Sequence, residues 1–168
     1  MYSNKSGKFF FFYALILFLL CTLPFLSKVM PENSGEMKCT ARAIMYFEDT
    51  ETETVNVNVH FHFATGGTGS MVVEGYSDSK AGWLYMQRYV KLEYYSQRVS
   101  DLERVYKVKS WSSSKSSIDE TPDVLFDYFM REMSDSNHAL KIQVQRLNYD
   151  TVLLSSINSP LFVCSLTD

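Results

Sequence analysis

Residues 55–63 read VNVNVHFHF, and this alternation decides the fold class of the chain. Apolar side chains occupy every odd position from Val55 to Phe63, and polar side chains occupy the positions between them. Successive side chains of a β-strand point to opposite faces, so the pattern predicts a strand with one buried face. Gly66–Gly69 follows and predicts a hairpin turn, because glycine supplies the positive φ that such turns need. Met71–Tyr76 is the predicted return strand.

The same alternation recurs on both sides of this hairpin. The further predicted strands are residues 38–47, 83–96, 102–111, 139–147, 151–157 and 161–165. Residues 112–117 are rich in serine and predict a loop. The sequence therefore predicts a mainly β domain of about eight antiparallel strands, a number that can close into a lipocalin-like barrel. An open sheet packed on a helix is the alternative.

One segment has helical rather than alternating spacing. Between Asp123 and Met133 the apolar residues recur every three or four positions, which predicts a helix near residues 122–133. Val124, Leu125, Tyr128, Phe129 and Met133 are the positions that carry this spacing. Thr121 is the predicted N-cap and Pro122 the first helical residue.

The N-terminal part is organised differently from the rest. Residues 9–26 form an unbroken apolar run, which as a helix would reach about 27 Å, enough to cross a hydrocarbon core. We expect a cytoplasmic stub over 1–8, a transmembrane helix over 9–27, a tether over 28–37 and an exported barrel-like domain over 38–168. Lys5 and Lys8 keep the N-terminus inside, which predicts a single-pass protein of the bacterial inner membrane with a periplasmic domain. A cleaved signal peptide is the rival interpretation.

Charge and motif content narrow the classes of function. All 19 acidic residues follow position 31, so the exported domain is acidic, and direct nucleic-acid binding is disfavoured. The sequence has no Gly-x-Ser-x-Gly, His-Glu-x-x-His or P-loop motif. It therefore predicts neither an enzyme nor a cofactor.

Two cysteines bracket the predicted domain. Cys39 stands in its first strand and Cys164 in its last, and in an oxidising compartment such a pair predicts a disulfide. Two buried free thiols are the alternative.

His60 and His62 lie two residues apart on the polar face of the predicted strand. The spacing suits a metal, but His138 is the only other histidine, so no metal site is predicted. Two exposed histidines are the plain interpretation, and pH sensing is the functional one.

Arg88 falls on an otherwise apolar strand face. Burial of a lone charge is costly, so Arg88 must meet an anion. A structural ion pair with Glu74, Glu93 or Glu103 is one interpretation, and the carboxylate or sulfonate of an amphipathic ligand is the other. Five apolar residues would then surround that ligand, or else form an ordinary core: Phe61, Phe63, Met71, Met86 and Tyr94.

Four segments together carry a family resemblance: Lys38–Ala43, Gly66–Gly69, Gln87–Val90 and Ser159–Cys164. With the N-terminal apolar run, they make the chain resemble the FidL-like membrane proteins of enterobacteria. By architecture it is also similar to the ToxS, VtrC and PsaF accessory proteins. The resemblance implies an accessory regulator whose periplasmic domain forms a heterodimer with a ToxR-like single-pass winged-helix transcription regulator. It also implies stabilisation of that partner and sensing of a bile-salt-like molecule or of acid.

Two other functions fit the same sequence. One is a stand-alone lipocalin-like periplasmic binding protein. The other is a structural protein of the envelope or of fimbriae.

Overall fold

The eight predicted strands form one closed antiparallel sheet. The computed structural model describes residues 36–47, 52–80, 82–134, 140–156 and 159–167. The strands are β1 Met37–Tyr46, β2 Thr52–Phe63, β3 Thr68–Ser79, β4 Gly82–Arg98, β5 Glu103–Lys115, β6 Lys141–Arg146, β7 Thr151–Ser155 and β8 Pro160–Leu166. Each strand pairs antiparallel with the next, and β8 pairs with β1. The predicted barrel is confirmed, and the open sheet is not formed.

The hairpin between β2 and β3 forms as its sequence predicts. All five odd positions from Val55 to Phe63 are buried, so the alternation sets which face of the sheet encloses the core. Gly66 and Gly67 have φ values of 95° and 82°, a region that favours glycine. A Cβ on Gly67 would lie 2.7 Å from the carbonyl oxygen of Tyr94, so the turn can pack closely on β4 only with glycine there.

The barrel closes where its first and last strands meet. Only Cys39, Thr40 and Ala41 have Cα partners on β8, whereas β1 pairs with β2 along its whole length. The predicted disulfide is confirmed at this short seam, with Cys39 and Cys164 Sγ atoms 2.08 Å apart. A covalent bond therefore reinforces the least extensive pairing that β1 makes.

The described residues contain one helix, α1, which spans Asp123–Met133 between β5 and β6, as predicted apart from its first residue. Its buried face consists of Leu125, Phe126, Phe129, Met130 and Met133. The prediction was wrong for Val124, which is 49 % exposed, and it omitted Phe126 and Met130. It was also wrong at the N-terminus: Pro122 is the N-cap residue, and the Thr121 hydroxyl instead donates to Asp119.

The predicted serine-rich loop over residues 112–117 is wrong for its first four residues. Residues 112–115 continue β5 and pair with residues 88–91 of β4, because the long β4 strand provides a template for them. On its other side β5 pairs with β6 only as far as Lys107, and the Val108 N–H then donates to Leu140 O. Within the described ranges no strand continues beyond that point, and residues 109–115 are exposed.

The N-terminal predictions concern residues that the structure does not describe. The stub over 1–8, the span over 9–27 and residues 28–35 of the tether lie outside the described residues. In the part of the chain that the structure describes, no helix has the length and apolarity to cross a membrane. Ser34–Asp168 is a compact unit that holds the whole barrel, α1 and the disulfide.

Candidate functional site

Arg88 is buried inside the barrel, and each of its three side-chain nitrogens donates to a protein acceptor. Strand β4 places it between Met86 and Val90 on the inner face, where it is 4 % exposed. Its Nε donates to Asp119 Oδ2 at 2.7 Å and its Nη1 to Asp123 Oδ1 at 2.6 Å. Its Nη2 donates to the Thr121 carbonyl oxygen at 3.2 Å. The guanidinium therefore ties β4 to the segment that leads into α1.

Asp119 is the buried partner of this network. Its carboxylate accepts hydrogen bonds from the Gln87 N–H at 2.9 Å, the Thr121 N–H at 2.8 Å and the Thr121 hydroxyl at 2.7 Å. Burial alone would raise the pKa of Asp119, but these hydrogen bonds and the Arg88 charge hold the pKa below its ordinary value. Asp119 is consequently ionised at neutral pH.

An ion pair at Arg88 was predicted, but the three expected glutamates are the wrong partners. Arg88 lies on the inner face, whereas Glu74, Glu93 and Glu103 belong to the alternate, outward-facing positions of their strands. Glu74 instead contacts His60, Glu93 accepts from Ser110, and Glu103 accepts from Gln143. The observed partners, Asp119 and Asp123, lie in the loop before α1 and in its first turn. The alternating pattern of a strand carries no information about where such segments lie.

The five apolar residues predicted to surround a ligand all belong to the core. Phe61, Phe63, Met71, Met86 and Tyr94 are each at most 2 % exposed. Phe63 stacks on Tyr106 with ring centroids 4.1 Å apart, and the Tyr94 hydroxyl donates to Ala64 O at 2.6 Å. The structure thus shows them packed on one another, and their contact with a ligand stays a prediction.

The two histidines lie on the outer surface of β2, each beside a carboxylate. His60 Nε2 is 3.2 Å from Glu74 Oε1, and its Nδ1 is 3.0 Å from Thr40 Oγ1. His62 Nε2 is 2.9 Å from Glu36 Oε1. Hydrogen bonds from Lys38 and then His62 lower the pKa of Glu36. Across the described residues, no cluster of three or more His, Cys, Asp or Glu side chains is placed to hold a metal, and pH sensing stays a prediction.

A cavity of about 550 Å³ opens at the end of the barrel where β1 begins. Arg98, Arg104 and Arg146 line it from the ends of β4, β5 and β6. The Tyr106 ring lies below them, and burial raises the pKa of Tyr106 to about 12 although the Arg104 charge opposes that rise. This cavity was not predicted from the sequence. The predicted β4 strand ended before Arg98, and no function was assigned to Arg104 or Arg146.

In the part of the chain that the structure describes, the fold and these features define a class: a disulfide-closed, eight-stranded antiparallel barrel with one helix and a charged cavity at one end. A family model described as FidL-like putative membrane protein matches residues 75–164, more than half of the chain, and the chain belongs to this family. No curated protein matches the sequence.

Proposed function

We propose that this protein is a membrane-anchored accessory subunit of a ToxR-like regulator. In this proposal residues 9–27 form a single inner-membrane span, the N-terminus is cytoplasmic and the barrel lies in the periplasm. The barrel pairs with the partner's periplasmic domain and stabilises it, in the manner of the ToxS, VtrC and PsaF proteins. Membership of a membrane-protein family and the N-terminal apolar run support the topology.

The exposed edge of β5 is the observation that carries the proposal. Residues 110–115 pair with β4 on one side and are exposed to solvent on the other. An unpaired strand edge is a template for a strand from another chain, and natural proteins usually cover or shorten such edges. A partner strand added here would continue the sheet beyond Lys141, where β6 begins.

The orientation of the backbone identifies a residue with which to test this edge. The Ser116 N–H donates to Gln87 O at 3.1 Å, so the ladder alternates and the Ser114 N–H also faces β4. The Ser113 N–H therefore faces away from β4, toward an added strand. Proline at 113 removes that donor and leaves the bonds to β4 intact.

The experiment is co-purification of the full chain with the ToxR-like regulator, using wild type, Ser113→Pro and Ser113→Ala. We expect wild type and the alanine variant to retain the partner and the proline variant to lose it, with circular dichroism and Tm unchanged. If the proline variant retains the regulator, the interface does not lie at the edge of β5. No association of wild type with the regulator at micromolar concentration would contradict the accessory role.

The cavity at the barrel mouth favours a second candidate, a stand-alone binding protein. A molecule bound there would raise Tm without any partner, because a ligand that binds only the folded state stabilises it. The accessory role predicts instead that the regulator's periplasmic domain raises Tm.

A further inference from the structure

The mouth of the barrel gathers three arginines on its inner face. Arg98 and Arg104 are direct Cα partners on β4 and β5, and Arg104 is in turn the partner of Val144 on β6. Arg146 follows Val144 by two residues and therefore shares its face. The inner face of these strands is otherwise buried and mostly apolar, as Tyr106 and Val144 illustrate. Three adjacent strands thus each place an arginine at the rim of the core.

These charges repel one another, and the three carboxylates that also line the cavity bond Arg98 or side chains outside this arginine cluster: Glu36, Asp101 and Glu103. Like charges directly opposite in a sheet destabilise the pairing, and Arg98 and Arg104 stand in that relation. Arg98 is paired with Asp101 at 2.5 Å. The side chains of Arg104 and Arg146 make no hydrogen bond or ion pair with the residues that the structure describes. Two guanidinium groups therefore have donors free on the cavity.

The floor of the cavity adds an apolar wall and one hydroxyl group. The rings of Phe63, Tyr94 and Tyr106 pack together with centroid distances of 4.1 to 5.4 Å and separate the cavity from the rest of the core. Val144 and Val152 line the cavity beside Tyr106. The Tyr94 hydroxyl is bonded to Ala64, whereas that of Tyr106 has no hydrogen-bond partner in the described part of the chain.

We propose that this cavity binds a small organic anion, whose carboxylate or sulfonate group meets Arg104 and Arg146 while its apolar body lies against Tyr106 and the two valines. Guanidinium groups bind such oxyanions through charge-assisted, often bidentate hydrogen bonds. A volume of about 550 Å³ falls within the range of small-molecule sites. The inference goes beyond the proposed accessory role, because it gives the barrel a ligand of its own, and it places that ligand away from Arg88.

The test measures binding of para-toluenesulfonate and of its uncharged analogue para-toluenesulfonamide by titration calorimetry. The sample is the full chain in maltoside micelles, with empty micelles as blank. We expect the anion to bind and Arg104→Gln/Arg146→Gln to weaken binding by about ten-fold or more, the loss of at least one charge-assisted hydrogen bond. Arg42→Gln is the matched control, because Arg42 is exposed on the outer face and bonds only Asn56 among the described residues.

The double variant should fold at least as well as wild type, since it relieves repulsion, and a Tm measurement checks this. If it unfolds, the single Arg104→Gln variant serves and should still weaken binding of the anion. Equal affinity for the anion and the sulfonamide would overturn the site, as would unchanged binding in the folded variant or no binding by wild type. If the chain retains the regulator but binds no anion, the proposed anion site is wrong and the accessory role stands. If the chain binds the anion but does not associate with the regulator, the accessory role is wrong and the anion site stands.

Discussion

Replacing Arg88 with methionine leaves the buried carboxylate of Asp119 without its cation while keeping an unbranched side chain in the barrel. The Asp119 side chain is 0 % exposed, and breaking a buried pair from one side typically costs about 3–5 kcal/mol. The second carboxylate, Asp123, is 77 % exposed, so its pairing with Arg88 adds at most about 1 kcal/mol. We therefore expect Arg88→Met to lower the free energy of unfolding by about 3–5 kcal/mol.

Urea unfolding followed by circular dichroism measures this loss on the oxidised unit Ser34–Asp168, which contains the complete barrel. With a denaturant slope near 2 kcal/mol per molar, the midpoint should fall by about 2 M. Adding Asp119→Asn to Arg88→Met should recover part of the loss, because no uncompensated buried charge then remains.

The pH dependence of unfolding provides an independent check of the same pair. The folded pKa of Asp119 is lowered, so its contribution to stability is present above the ordinary value of about 4 and is lost as the pH falls through the folded value. The difference between wild type and Arg88→Met should shrink in that acid range. A cost below about 1 kcal/mol at pH 7, or no recovery in the double variant, would refute the reasoning.

Two further predictions concern closure of the barrel and its mouth. In oxidising conditions, Cys39→Ser/Cys164→Ser should lower the free energy of unfolding by about 4–5 kcal/mol, because the disulfide closes a loop of 125 residues. With reductant present the two proteins should be equally stable in urea unfolding, and an equal loss there would contradict a role for the disulfide. Burial raises the pKa of Tyr106 to about 12, so its contribution to stability is complete below about pH 10 and is lost as the pH rises through 12. Tyr106→Phe should therefore shift alkaline unfolding, followed by circular dichroism, to higher pH, whereas Tyr149→Phe at a position that is 86 % exposed should not.

Local alternation accounts for how much of the barrel could be predicted. The side chains of Val55–Phe63 and the flanking glycines specify a hairpin without reference to any other part of the chain. The serine run of 112–117 has no apolar alternation, and residues 112–115 become strand only because β4 is long enough to pair with them. Tertiary pairing of this kind overrides local propensity and is not written in the segment itself.

The sites show the same limit. The inward direction of Arg88 follows from alternation, but Asp119 approaches it from a loop whose path depends on α1. Val124 is apolar and carries the helical spacing, yet it is exposed, whereas Phe126 belongs to the buried face of α1. The rim arginines follow from extending each strand register to its end, and that signal was present in the sequence.

The seam between β1 and β8 also determines when folding can finish. The residues that close the barrel stand near opposite ends of the chain, so the ring stays open until the last strand has been made. Long-range closure of this kind is slow and leaves strand edges exposed meanwhile. A product truncated before Cys164 would keep a free thiol at Cys39 and would leave one edge of β1 unpaired, although β1 still pairs with β2. The Cys39–Cys164 disulfide can therefore form only after the last strand has been synthesised.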